Sequence, residues 1–104
     1  MKKISILAVL CILGSFTTVY AQENAAALYK SKCQVCHGSD GKGDTPVGKK
    51  LGVKDFHSPE VAKMSDAELF EIIKKGKDNK MPSYDNKLTD DQIKSLVKYI
   101  RSLK

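Results

Sequence analysis

Cys33-Gln34-Val35-Cys36-His37 is the stretch whose reading decides everything else in this chain. Two thiols three residues apart, followed at once by an imidazole, are open to three chemistries. A structural zinc site wants four ligands, usually brought as two pairs, and the chain offers three cysteines and two histidines, so His57 would have to join. A redox dithiol wants a strand leading into its helix. Here the preceding segment, Ala25-Ala26-Ala27-Leu28-Tyr29, is alanine-rich and lacks β-branched residues. The third chemistry is covalent attachment of haem, in which Cys33 and Cys36 add across two vinyl groups and His37 lies beneath the iron as proximal ligand.

Working outward, the pattern is helical on both sides. Asn24 can cap a helix that begins at the alanine run and carries Tyr29 on the face of Cys33, four residues on. From Gly38 to Leu51 glycines at 38, 41, 43 and 48 predict turns with neither helix nor strand. This run is no phosphate loop, because the G-x-x-x-x-G-K-[ST] order is missing. Ser58-Pro59-Glu60 starts a short helix reaching about Met64. Ser65-Asp66-Ala67-Glu68 is a capping box opening a helix with Leu69, Ile72 and Ile73 on its apolar face, Phe70 beside that stripe and Gly76 as its stop. Thr89-Asp90-Asp91-Gln92 repeats the box before Ile93, Leu96, Val97 and Ile100. Between these two helices Pro82 restricts Met81 to extended backbone, a setting from which a side chain can reach sideways.

In these features the chain resembles the small monohaem class I cytochromes c, over nearly all of residues 22–104 and most closely at Cys33–His37 and Met81-Pro82. The resemblance implies an all-α fold, three to four short helices packed around one covalently bound haem c. It implies Met81 as distal iron ligand, with Met64 and His57 as rivals, and a carbonyl from Pro46, nine residues after His37, bonded to the ring N–H of that histidine. By sequence alone Pro46 is a turn proline. Tyr29, with Ala25 one turn earlier, takes the place where the first helix crosses the last at Leu96 and Tyr99. Leu51, Val53, Phe56 and Phe70 are expected at the haem. There is no second C-x-x-C-H, so one haem is expected.

Residues Met1 to Ala21 have the layout of a secretory signal peptide: Lys2 and Lys3, an apolar run from Ile4 to Phe16, and Val19-Tyr20-Ala21 at the cut. The rival is an uncleaved anchor, since Ile4 to Tyr20 comes near the lower limit of about 17 residues for a span; lipid modification at Cys11 is disfavoured by the bulky Leu10. Export suits the motif, because thioether bonds dispose of thiols that would otherwise pair in an oxidising compartment. The domain left, 22–104, is small for a core of side chains alone, and a buried haem would supply the missing apolar surface.

The 104-residue chain holds 18 basic and 12 acidic residues. The lysines alternate with acids and no aromatic stripe goes with them, which argues against nucleic acid and for redox protein partners with acidic docking surfaces. Lys49, Lys50, Lys74, Lys75, Lys77 and Lys80 are the expected positive rim. With both axial positions filled, the resemblance implies a monomeric periplasmic one-electron carrier and no catalysis of its own. The alternatives are a haem c subunit or domain of a membrane-associated oxidase or dehydrogenase, and a haem enzyme with an open sixth position.

Overall fold

A computed structural model describes residues 24–104. The signal-peptide, anchor and Cys11 expectations lie outside the described residues. No helix among the described residues is long and apolar enough to cross a membrane.

The described chain is helical with no strand beyond one isolated bridge. Helix α1 covers residues 24–32, so Asn24, expected as its cap, already has helical geometry. It runs almost directly into α2, Gln34–His37, through Cys33. There follow α3 (Pro46–Leu51), α4 (Pro59–Ala62), α5 (Asp66–Lys75) and α6 (Asp90–Ser102).

The two long C-terminal helices begin where their capping boxes put them. Ser65 accepts from the Glu68 N–H while Glu68 reaches back to the Ser65 N–H, and Thr89 and Gln92 do the same. Arg101 ties the two helices together, donating to Asp66 at 3.1 Å and to the Met64 carbonyl.

Helix α3 corrects the expectation of unbroken turns. Thr45 caps it, Pro46 fills the first position where no N–H is required, and Gly52 closes it at φ 70°. Gly48 inside the helix hid that signature. It is there because a Cβ would overlap the carbonyl oxygen of Cys36 and lie 2.6 Å from that of Gly43, so only glycine lets α3 come this close to α2.

The core lies where α1 and α5 meet α6. Tyr29, Ile93 and Leu96 are the largest fully buried side chains, with Leu69, Ile73, Val97 and Ile100 around them. Ala25 is buried, and the Tyr29 ring meets that of Tyr99 at 5.2 Å between centroids, which is the crossing expected of the first and last helices. Each such aliphatic burial contributes about 1.5–3 kcal/mol, and the sum fixes α1 and therefore the pentapeptide at its end.

Candidate functional site

Positions 33, 36 and 37 fall on one side of a helical turn because three and four residues make about one turn. The turn is closed by His37 N–H donating to the Cys33 carbonyl at 3.0 Å, and Gly38, at φ 81°, ends it. Three hydroxyls hold this turn from outside. Tyr29 donates to the Gly38 carbonyl at 2.6 Å, and Tyr84 to the Lys32 carbonyl at 3.1 Å. Thr45 lies 2.8 Å and 3.0 Å from the carbonyls of Val35 and Cys36 while accepting from Gly48 N–H. The pentapeptide is thus clamped before, within and after its own length.

Cys33, Cys36 and His37 line a cavity of about 430 Å³ together with Leu51, Val53, Phe56, Val61, Met64, Leu69, Ile72, Met81 and Tyr84. A largely apolar cleft of this size is in the range that takes a cofactor. Phe70 is not among the lining residues; Lys74 lies over its ring at 5.7 Å instead.

Met81 enters this wall from a tight turn. Asp78 and Asn79 both have positive φ, 54° and 57°, and Lys80 N–H donates to the Lys77 carbonyl, the geometry of a type I′ turn. Lys77 and Met81 then exchange two backbone hydrogen bonds, of 3.1 and 3.0 Å. Gly76 gives the turn room, since a Cβ there would come within 2.6 Å of the Met81 carbonyl.

The His37 ring stacks on Phe56, centroids 4.7 Å apart and planes at 26°. Its Nδ1 is buried and has no hydrogen-bond partner among the described residues. The expected bond from the Pro46 carbonyl is therefore not made; Pro46 is exposed and serves as the first residue of α3. Burial holds the imidazole below its usual pKa, which favours the neutral ring that binds metals. Burial also pushes the Cys33 thiol up to about 11, against the pull of Lys32, the reverse of what a redox dithiol needs. Cys33 and Cys36 are not joined by a disulfide.

His57 is remote from these ligands in role: it bonds Asp55 and the Leu103 carbonyl. Among the described residues no three His, Cys, Asp or Glu side chains gather to hold a bare metal ion. A porphyrin iron asks for less from the protein, namely two thiols for the macrocycle, an imidazole for the metal and apolar walls, and all of these border the one cavity. The residues fit a haem c.

The charged rim matches the expectation only in part. Lys77 and Lys80 border the cavity, joined by Lys32 and Lys54. Lys49, Lys74 and Lys75 are drawn to Asp44, Asp90 and Glu71 at 3.0, 3.2 and 2.9 Å, and Lys54 to Glu60 at 2.9 Å. Sequence reasoning passed over Thr45, Gly48 and Tyr84. The Thr-Pro pair ahead of Gly52 was a readable signal for the first two; a tyrosine set in a polar loop was the signal for the third.

Comparison with known proteins agrees with this geometry. Residues 21–100 match the family described as cytochrome C oxidase, cbb3-type, subunit III. A cbb3-type cytochrome c oxidase subunit CcoP from Azospirillum brasilense is 31% identical over 88 residues, covering 84% of this chain and 30% of that protein. The chain thus spans under a third of that curated relative. Among solved structures, KustC0563 c-type cytochrome superposes with a TM-score of 0.70 at 37% identity, over 77% of this chain and 96% of that one. A point mutant of the same cytochrome gives 0.70 at 35% identity, over 78% and 99%.

Proposed function

The chain belongs to the cytochrome C oxidase, cbb3-type, subunit III family of c-type cytochromes, and on that premise we propose that it is a haem c electron-transfer unit working with an oxidase complex of this type. The observation that carries the reading is the convergence of Cys33, Cys36, His37 and Met81 on one apolar cavity. When bound, the haem supplies a one-electron Fe(III)/Fe(II) couple.

The chain's own residues do the rest. Cys33 and Cys36 would bind the macrocycle as thioethers, and His37 and Met81 would hold the iron. A thioether is a soft, weak donor, so it favours the ferrous state and raises the potential relative to a second imidazole. Leu51, Val53, Phe56, Val61 and Leu69 exclude water from the site. With both His37 and Met81 given to the iron, the unit would pass electrons without performing the oxidase chemistry itself.

Lys77 and Lys80, at the cavity border and outside the ion pairs that hold Lys49, Lys74 and Lys75, supply positive charge towards acidic partners. Met1–Ala21, as a cleaved leader, delivers the unit to the periplasm. A second reading, a self-contained carrier, is favoured by the match to nearly the whole length of a c-type cytochrome.

Oxygen uptake by a cbb3-type oxidase, driven by the reduced purified protein at low and high salt, tests the reading. Turnover that falls with salt and falls again in a Lys77→Glu/Lys80→Glu variant supports it. A haem-loaded protein that transfers no electrons to the oxidase contradicts it.

A further inference from the structure

His57 sits outside the cavity and is held by two acceptors. Its Nδ1 is 2.8 Å from Asp55 Oδ1 and its Nε2 is 2.9 Å from the Leu103 carbonyl oxygen. Neither oxygen can donate, so both contacts are hydrogen bonds only when both ring nitrogens carry protons; a neutral ring would set a lone pair against one of them. The same carboxylate accepts the His57 backbone N–H at 2.8 Å, which fixes its position.

The two segments joined this way lead to His37. Leu103 ends α6, and its side chain reaches the space over Gly41: a Cβ at Gly41 would stand 3.4 Å from Leu103 Cδ1 and 2.6 Å from Phe56 Cδ2. Phe56 donates its N–H to the Gly41 carbonyl at 2.9 Å and stacks on the His37 ring. Phe56, His57 and Leu103 share a second, smaller cavity of about 260 Å³ with Arg101. The charged groups facing His57 are Asp55 on its own loop, Lys42 from the glycine-rich turn and Arg101 on α6. Arg101 is committed to Asp66 and the Met64 carbonyl.

We propose that His57 is a positioning residue for His37: doubly protonated, it straps the end of α6 to the 53–58 loop, seats Phe56 against the imidazole, and so couples the reduction potential to a proton outside the haem cavity. The inference rests on the haem reading above. The hydrogen bonds to Asp55 and to the Leu103 carbonyl hold the proton on His57 above the ordinary histidine range. Loss of that proton leaves the His57–Asp55 pair with one net negative charge and deprives one acceptor of its donor. Negative charge added behind Phe56, which stacks on His37, would favour the ferric state of a bound haem, so the potential falls as pH rises through this step. In balance, an electron from the electrode enters the iron while, between the oxidised and reduced pKa values of His57, part of one proton is taken from water at that ring.

The test is spectroelectrochemical titration of the haem-loaded protein from about pH 5 to 9, the range over which a histidine changes charge, with the His57 ring followed by NMR. The expected result is a downward shift of potential in the same pH window as the His57 titration, with the Phe56 ring resonances moving in step. His57→Gln removes that shift, and Asp55→Asn moves it to lower pH. A purely structural strap would change unfolding and leave the pH profile alone. A potential that stays flat while His57 titrates, or a profile unaltered in His57→Gln, overturns the inference. A purified chain that carries no haem by mass is a different result and counts against the electron-transfer reading itself.

Discussion

The hydroxyl of Tyr29 donates to the carbonyl of Gly38 across 2.6 Å, so the most deeply packed side chain of α1 holds the residue directly after His37. One tyrosine joins the core to the haem-binding turn, its ring against Tyr99 and its oxygen on the pentapeptide's exit. Burial drives its phenol well above the usual pKa, so the hydroxyl stays a donor throughout the physiological range.

Tyr29→Phe keeps the ring contact and removes only the hydrogen bond. We expect a loss of about 0.5–1.5 kcal/mol, the net worth of one hydrogen bond, because the Gly38 carbonyl keeps the Gly41 N–H at 3.3 Å. Chemical denaturation of the haem-loaded protein measures it, and Tyr29→Ala should lose more, about 3–5 kcal/mol, as the aromatic volume goes too.

Gly48→Ala separates α3 from α2. The added methyl overlaps the Cys36 carbonyl, and backbone has to yield because the two nearest atoms are the carbonyl oxygens of Cys36 and Gly43. The expected cost is about 1–3 kcal/mol, as for other overpacked sites, with less haem incorporated per chain. Denaturation midpoints and the ratio of haem absorbance to protein mass check the two effects.

Met81→Ala takes the proposed distal ligand from the cavity wall and leaves the turn that presents it intact. The potential should fall and a coordination place should open, visible as loss of the iron–sulfur charge-transfer band and binding of added imidazole. A spectrum and potential equal to wild type would assign the sixth ligand elsewhere, with Met64, which also lines the cavity, the next to test.

His57 gives stability a pH dependence of fixed sign. Its folded-state pKa is raised above the ordinary 6.5 by the hydrogen bonds to Asp55 and Leu103. The folded chain then binds more protons than the unfolded one, so the contribution is complete below about pH 6.5 and disappears as pH rises through the raised value. Denaturation midpoints of wild type minus His57→Gln should shrink over that rise. The pair is exposed, so added salt should flatten the difference.

What could be read from the sequence divides along physical lines. The pentapeptide, the two capping boxes and the stripes of α5 and α6 are local patterns, each decided within a few residues, and the structure has them where expected. Helix α3 was missed because Gly48 counts against a helix locally and is required only through the nearness of the Cys36 carbonyl, a contact that sequence spacing does not express. Pro46 was assigned to His37 by likeness of spacing, whereas Thr45, its neighbour, is the residue that bonds the turn. The lysine rim divides in the same way: Lys77 and Lys80 border the cavity, whereas Lys49, Lys74 and Lys75 are held in ion pairs. Whether Lys74 faces a partner or Asp90 depends on how α5 lies against α6, while the two further cavity lysines, Lys32 and Lys54, stand far apart in sequence.

The account depends most on one covalent fact, that Cys33 and Cys36 each carry a bond to a single haem. Intact mass spectrometry under denaturing conditions, on protein exported by a host able to build c-type cytochromes, measures it directly. The account predicts one species heavier than its own polypeptide by a single haem, and loss of that increment in Cys33→Ala/Cys36→Ala. A wild-type mass equal to the polypeptide alone would contradict it.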